Sequence, residues 1–218
     1  MRKLTPELLD HLPHDDPGAM RSRRDLRRIN FVMGNDRWIL RKLPQNPTAI
    51  TEIGAGEGHL LTAISRHHPG IPLTAFDLAP RPASLPATVQ WNCGDIFTLA
   101  PPRRGGVLIA NLFLHHFTDT QLSELSAWMA GFDTIITSEP YRAKIPLFLA
   151  KIASPLIHPI TRHDMRVSIE AGFRPRELPA SLGLDNLGFR FHETTSQRGF
   201  IRMIAEKQRP QSSLKTEH

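Results

Sequence analysis

The feature that most constrains this chain is a glycine-rich turn that follows an apolar, strand-like run and precedes a helical pattern. Residues 52–58 read Glu-Ile-Gly-Ala-Gly-Glu-Gly, so glycine stands at every second position from Gly54. Glycine permits a tight turn and lets a ligand approach backbone that carries no side chain. In open α/β sheets, ligands bind beyond the carboxyl ends of the strands, near the point where strand order reverses. The motif therefore predicts a ligand-binding turn at that edge of an α/β sheet.

Alternating strand-like and helical segments predict the sheet that carries this turn. Strands are expected at 49–55, 73–79, 87–93, 106–113 and 133–140. Helical patterns cover 57–68 and 118–132, whereas prolines 80, 82 and 86 leave the connection between the second and third strands little room for a helix. Right-handed crossovers between such strands produce a doubly wound parallel sheet.

The last part of the chain predicts a different kind of strand pairing. Residues 187–195 and 199–207 are strand-like runs joined only by Ser-Gln-Arg, so no helix fits between them. Two strands joined so closely pair as an antiparallel hairpin. We therefore predict an α/β fold with a doubly wound, mostly parallel seven-stranded sheet that ends in an antiparallel hairpin.

Helical segments precede the sheet region and interrupt it late in the sequence. We expect an N-terminal helical cap over 1–45 and a main domain over 46–206. Within the main domain, residues 141–184 are expected to form a helical lid insert, and residues 207–218 a flexible tail.

The cap and the insert carry more specific helix predictions. Thr5 as a cap and Pro6 at the first position predict a short helix over 5–12. Apolar residues at helical spacing predict a longer helical region over 21–43, with a potential interruption at Gly34. The apolar run over 146–160 predicts a broken helix or a helix pair.

Charge and cysteine content narrow the class of protein. The formal net charge is +6, and part of the excess is a cluster formed by Arg21, Arg23, Arg24, Arg27 and Arg28. Such clusters can bind nucleic acid, but acidic residues are mixed in and no aromatic residues interleave, which favours a solvated helix face. Cys93 is the only cysteine, and no apolar run reaches the roughly 20 residues of a membrane helix. We expect a cytoplasmic protein without a transmembrane segment or a secretory signal.

A dinucleotide site is one interpretation of the glycine turn. Its fingerprint, Gly-x-Gly-x-x-Gly, requires a third glycine where this chain has His59. Asp77 ends the second strand, about where a ribose-binding acid belongs, but that acid could serve either of two nucleoside cofactors.

Four motifs in this order resemble class I S-adenosylmethionine (SAM)-dependent methyltransferases. Glu-x-Gly-x-Gly-x-Gly is the signature turn of that family, whose sheet also ends in an antiparallel hairpin. An acid follows the second strand at Asp77, and another follows the third strand at Asp95. The segment 111–117 after the fourth strand, Asn-Leu-Phe-Leu-His-His-Phe, is similar to small-molecule members that include the quinone-biosynthesis type.

The resemblance implies SAM as cofactor and assigns roles to particular residues. The turn would pack against the amino-acid part of SAM, Asp77 would hold the ribose hydroxyls, and Asp95 would contact the adenine amine. The fourth strand would end beside the reactive methyl group. The cofactor-binding residues implied in this way are Glu52, Gly54, Gly56, Gly58, Asp77, Asp95, Ile96 and Asn111.

The candidate catalytic residues are groups that could make an acceptor nucleophilic. A phenol has a pKa near 10, and a histidine can help to remove its proton. His115 and His116 follow the fourth strand, and either could be this base or merely shape the loop. His163 follows Pro159 in the insert, where a helix start is an equal alternative. Glu139 ends the fifth strand and could bind a substrate hydroxyl or pair with Arg142.

These observations favour a SAM-dependent methyltransferase that acts on a small, aromatic or lipid-like acceptor. O-methylation is favoured, and C-methylation of an activated ring stays open. An RNA methyltransferase is the alternative suggested by the basic cluster, and a non-catalytic SAM-binding or partner-binding protein is another. We expect no metal and no nucleic-acid partner.

Overall fold

A seven-stranded sheet forms the centre of the structure, and its strand order positions the glycine-rich turn. The computed structural model describes residues 2–13, 15–102, 104–144 and 157–208. The strand order is β3-β2-β1-β4-β5-β7-β6. The strands are β1 Ile50–Ile53, β2 Leu73–Asp77, β3 Val89–Cys93, β4 Val107–Asn111, β5 Thr134–Pro140, β6 Phe189–Ser196 and β7 Phe200–Lys207.

The pairing of these strands confirms the predicted topology. β1 lies between β2 and β4 and is parallel to both, and β4 is parallel to β5. β7 is antiparallel to both of its neighbours, β5 and β6. Strand order reverses between β1 and β4, so the turn after β1 and the loop after β4 meet at the reversal point.

Helices cover both faces of the sheet. They are α1 Pro17–Met33, α2 Asn35–Lys42, α3 His59–His67, α4 Asp119–Met129, α5 Pro159–Ala171 and α6 Glu177–Ser181. Gly34 separates α1 from α2 and has φ +70°, a left-handed conformation that suits glycine, so the predicted interruption is confirmed. α1 begins earlier than predicted because the Asp16 side chain accepts a hydrogen bond from Ala19 N, and Pro17 stands at the first helical position.

The predicted helix over 5–12 is wrong. Only a short 3₁₀ turn, Leu9–His11, is present, and Thr5 does not cap it. The backbone N–H groups of Leu8 and Leu9 donate instead to the buried carboxylate of Asp164 on α5, at 2.7 and 3.1 Å. Tertiary hydrogen bonds therefore replace helical ones in this segment.

Two apolar clusters, one on each face, pack the helices against the sheet. One contains Ile53, Leu108 and Leu122 and includes the side chains of α4. The other contains Ile50, Ile109 and Leu61 and includes α2 and α3. Because β1 and β4 contribute to both clusters, their ends are fixed from both sides.

Two connections bear on the remaining predictions. No helix lies between β2 and β3, as the prolines predict, and Arg81 spans this loop by donating to the carbonyl oxygens of Val89, Leu85 and Pro86.

Most of the apolar run 146–160 and of the tail 207–218 lies outside the described residues. Among the helices that the structure describes, none combines the length and apolarity needed to cross a bilayer.

Candidate active site

The glycine-rich turn has an unusual backbone and leaves open space beside it. The φ angles are +67° at Gly54, +54° at Gly56 and +69° at Gly58. Residues other than glycine rarely adopt this left-handed conformation. A Cβ atom added at Gly56 would meet no heavy atom within 4 Å. One added at Gly54 would lie 2.1 Å from Phe113 Cδ2, so the Phe113 ring packs directly on the turn. The turn is thus open at its centre and closed by an aromatic ring at its start.

Glu52 is a buried carboxyl group at the end of β1 whose bonding is incomplete. The residue is 3% exposed, and its Oε2 atom is buried without a hydrogen-bond partner. Burial raises the pKa of Glu52 well above its ordinary value, and the negative charges of Asp36 and Asp77 raise it further. An unpaired buried carboxyl group is costly, so this position favours a ligand that supplies a donor or a positive charge.

Asp77 lies beside the same turn, at the end of β2. Its Oδ2 atom accepts a hydrogen bond from Gly56 N at 2.7 Å, and its Oδ1 atom accepts one from Ala79 N at 2.8 Å. Asp77 is half-buried. Its carboxylate stabilises the turn through these two backbone hydrogen bonds.

Asn111 ends β4 and faces an acid that the sequence analysis missed. Its Nδ2 atom donates to Asp36 Oδ1 at 3.1 Å, while its Oδ1 atom is buried without a partner. Burial raises the pKa of Asp36, which belongs to the first turn of α2. Nothing in the local sequence around Asp36 marks it, because only the packing of α2 brings it to the sheet edge.

The residues expected on the adenine side occupy a tight turn after β3. The Asp95 side chain is exposed and accepts a hydrogen bond from Phe97 N at 3.0 Å, and the Asp95 carbonyl accepts from Leu99 N at 3.2 Å. Ile96 is 6% exposed and packs in the core. Asp95 thus caps its own turn, and its carboxylate also faces solvent.

The loop after β4 is held by Glu139, which is completely buried at the end of β5. One carboxylate oxygen accepts hydrogen bonds from Phe113 N and Leu114 N at 3.1 and 2.9 Å. The other accepts from His115 N at 3.3 Å and from His115 Nδ1 at 2.8 Å. Leu112 in this loop has φ +57°, a strained value for leucine. Glu139 pairs with His115, while Arg142 donates to Glu177.

His115 is a buried cation between two carboxylates. Its Nδ1 atom contacts Glu139, and its Nε2 atom lies 3.6 Å from Glu7 Oε1. Burial opposes protonation, but the hydrogen bond to Glu139 and the negative charges of Glu139 and Glu7 outweigh it and raise the pKa of His115 to about 9. At neutral pH this imidazole is already protonated and cannot accept a proton from an acceptor.

The His116 imidazole differs from that of His115 in its protonation. Its ring centroid lies 4.3 Å from that of His115, and the residue is exposed. Although the residue keeps exposed surface, the surrounding protein desolvates the ring at the cavity wall, and this desolvation together with the positive charge of His115 lowers the pKa of His116 below 6.5. His116 is consequently neutral at physiological pH and can accept a proton.

A cavity of about 400 Å³ adjoins these histidines. Its lining comes from the N-terminal segment, the loop after β4 and α5: Leu4, Thr5, Pro6, Glu7, His115, His116, Thr118, Val167, Ser168 and Ala171. Glu7 was not predicted as a site residue, because its segment was expected to form a helix rather than the extended wall of a cavity. The insert does contribute to the cavity, through α5.

His163 does not line this cavity among the described residues. It belongs to α5, and its Nδ1 atom lies 3.2 Å from Asp164 Oδ1. The helix-start reading of this segment is confirmed, since α5 begins at Pro159.

The strand order and the glycine turn together define the fold of class I SAM-dependent methyltransferases. No protein-family model and no curated protein sequence matches the chain. Three solved structures that share the fold are compared below. Each is less than 25% identical in sequence to this chain, so the similarity is one of fold.

Three of these structures illustrate the likeness. The plantazolicin methyltransferase BpumL, in complex with a monoazolic desmethylPZN analog and SAH, is 14% identical, with a TM-score of 0.65 over 89% of this chain and 91% of that chain. Human N-acetylserotonin methyltransferase in complex with SAM is 21% identical, with a TM-score of 0.59 over 90% of this chain and 60% of that chain. The SAM-dependent methyltransferase SibL in its apo form is 15% identical, with a TM-score of 0.65 over 95% of this chain and 64% of that chain.

Proposed function

We propose that this protein is a methyltransferase that uses SAM to methylate a small acceptor bound in the cavity beside His116. O-methylation of a hydroxyl group, such as a phenol, fits the cavity best. The observation that carries this proposal is the acidic surroundings of the glycine turn, where burial and then the negative charges of Asp36 and Asp77 raise the pKa of Glu52.

The charge at the turn distinguishes SAM from a dinucleotide. A dinucleotide would bring an anionic pyrophosphate to the turn, where three acids would repel it. SAM carries a sulfonium and an α-ammonium group, and either cation would relieve the mutual repulsion of these acids. The orphaned Glu52 Oε2 and Asn111 Oδ1 atoms also fit a ligand that donates hydrogen bonds. The residues present therefore fit the cofactor that the neighbours BpumL and human N-acetylserotonin methyltransferase bind as SAH or SAM.

The chain's own residues would hold the cofactor at three points. The open backbone at Gly56 admits it, Asp77 offers carboxylate oxygens to its sugar, and Asp36 and Glu52 stabilise its positive charge. When bound, SAM supplies an electrophilic methyl group on sulfur, a donor that needs little activation by the protein.

The acceptor side needs a base and a dry cavity. His116 is neutral and lies at the cavity wall, so it can take the proton of an acceptor hydroxyl as the oxygen becomes nucleophilic. His115 would not act as the base but would position His116, and its charge would add to desolvation in keeping the pKa of His116 low. Glu139 would hold this pair in place by binding the loop backbone. The lining of leucine, proline, valine and alanine favours an apolar, aromatic or lipid-like acceptor.

A transfer assay with methyl-labelled SAM tests the proposal. The purified protein is incubated with panels of phenols, polyketides, quinols and transfer RNA, and labelled products are counted. We expect label in at least one small hydroxylated compound. Removal of the base in His116→Ala is expected to lower the rate by about 10²–10⁴-fold, a typical loss for general-base catalysis.

A matched control separates a catalytic loss from a general one. His192 is an exposed histidine on β6, the edge strand, so His192→Ala should leave the rate unchanged. Label found only in RNA would favour the alternative enzyme class, and no effect of His116→Ala on the rate would remove the proposed base.

A further inference from the structure

One cluster of side chains at the cavity has the composition of a metal site. Glu7, His115 and His116 each direct a potential ligand atom to the same place, and these atoms all lie within 4.8 Å of one another. Within the described part of the chain, this is the only group of three or more such residues. Two imidazoles and one carboxylate are the donor set that zinc and other first-row divalent ions bind.

We propose that Glu7, His115 and His116 bind one divalent transition-metal ion of the zinc class at the wall of the acceptor cavity. The inference goes beyond the proposed methyl transfer, because ion binding requires neither SAM nor an acceptor.

The surroundings of His115 are the strongest support. Its Nε2 atom is buried without a hydrogen-bond partner, and it points toward Glu7 Oε1 at 3.6 Å. Two ligands of a tetrahedral zinc ion with bonds of 2.0–2.1 Å lie about 3.4 Å apart, close to that separation. A divalent ion would replace the proton at Nε2 and give this atom the partner that it lacks.

The residues behind the cluster orient it as the outer groups of metal sites do. His115 Nδ1 donates to Glu139 Oε2 at 2.8 Å, which fixes the ring and leaves Nε2 for a ligand. A carboxylate on the far nitrogen of a metal-bound histidine is the common arrangement in zinc sites. On the other side, Ser168 Oγ donates to Glu7 Oε1, and Asp164 anchors the backbone next to Glu7 through Leu8 N at 2.7 Å.

The cavity leaves room for a further ligand. Because three side chains occupy three positions of a tetrahedral ion, a fourth position would face the space of about 400 Å³. A bound ion would engage the His116 nitrogen that otherwise accepts a proton. A hydroxyl group coordinated to the ion would have a lower pKa and could release its proton to solvent water, so the ion could activate an acceptor without His116 as the base.

Cobalt(II) is a suitable probe, because its visible absorption reports coordination by nitrogen and oxygen ligands. Metal-stripped protein is titrated with Co²⁺ without SAM or acceptor, and Zn²⁺ is then added as a competitor. We expect one Co²⁺ per chain, a visible band that Zn²⁺ abolishes, and a dissociation constant at least tenfold higher for His116→Ala. His116 is exposed, so its replacement should not unfold the chain, which circular dichroism checks.

Two further variants complete the test. Glu7→Gln should weaken Co²⁺ binding as well. His59→Ala should not, because Glu57 and His59 form a pair at 2.9 Å that no third ligand joins among the described residues. Absence of a saturable Co²⁺ band in the wild type, or equal binding by wild type and His116→Ala, would overturn the proposal. Neither result would bear on methyl transfer, which the labelled-SAM assay measures independently.

Discussion

Glu52 and Glu139 are two buried glutamates on strands of the same sheet, and they differ in almost every interaction. Glu52, on β1, has an oxygen without a partner and a pKa raised by burial and by neighbouring acids. Glu139, on β5, accepts hydrogen bonds from three backbone N–H groups and from a histidine ring. The comparison indicates that Glu139 is committed to the structure of the loop, whereas Glu52 is available to a ligand.

The same contrast separates the two halves of the candidate site. On the cofactor side, the turn after β1 is open at Gly56 and surrounded by acids that repel one another. On the acceptor side, the loop after β4 is fixed by Glu139 and Arg2, whose guanidinium donates to His115 O at 3.1 Å. One half would gain stability from a cationic ligand, and the other is already organised before any ligand binds.

The largest effect is expected for Glu139→Ala. This change leaves three N–H groups and a charged imidazole buried without their acceptor, which should lower the free energy of unfolding by about 3–5 kcal/mol. Urea denaturation followed by circular dichroism measures it. A loss below about 1 kcal/mol would mean that the loop after β4 does not depend on Glu139.

Two glycine substitutions compare the closed and the open part of the turn. In Gly54→Ala the new methyl group collides with the Phe113 ring at a left-handed backbone position, and we expect a loss of about 2–4 kcal/mol. Gly56→Ala has only the backbone cost, about 1 kcal/mol, but its methyl group would project into the proposed cofactor space. In thermal unfolding, Gly54→Ala should therefore be the less stable variant. In SAM titration, Gly56→Ala should be the weaker binder, provided that Gly54→Ala retains its fold.

Glu52→Gln tests the raised pKa of the cofactor-side carboxyl group. The unfolded group titrates near 4.5, and its folded pKa is higher, so the wild type loses stability as the pH rises through that interval. The amide does not titrate. We expect the variant to gain stability relative to the wild type as the pH increases from 4 to 8, by about 1.4 kcal/mol for each unit by which the folded pKa is raised. Parallel pH dependences for the two proteins would contradict the assignment.

The smallest effect on stability is expected for His116→Ala, within about 0.5 kcal/mol because the side chain is exposed. Its effect should appear in the pH profile of methyl transfer. The wild-type rate should rise with pH through a pKa below 6.5 and then level off, since the deprotonated imidazole is the proposed base. The variant should lack this limb, and a retained limb would assign it to another group.

The sequence was most informative where local patterns decide the structure. Four features were predicted in this way: the apolar strands, the glycine turn, the interruption at Gly34 and the proline-rich connection after β2. Each depends on the spacing of apolar residues or on glycine and proline in a turn, and both of these act over only a few residues. The ends of the individual elements shifted by a few positions, as expected when hydrogen bonds at the termini compete.

Long-range packing explains what the sequence did not reveal. Asp36 and Glu7 reach the site from the N-terminal region only after the chain folds, and neither has a local motif. The helix over 5–12 failed because Asp164, more than 150 positions later, takes the N–H groups of Leu8 and Leu9. Carboxylates on other elements raise the pKa of His115, whereas desolvation and the charge of His115 lower the pKa of His116. The sequence around these two adjacent histidines gives no indication of this difference.

Calorimetric titration with SAM and, separately, with NAD decides which cofactor the glycine turn binds. We expect saturable binding of SAM at the acidic turn, weakened at least tenfold in Asp77→Asn, and no comparable binding of NAD. Tight binding of NAD without binding of SAM, or SAM affinity that is unchanged in both Asp77→Asn and Gly56→Ala, would contradict it.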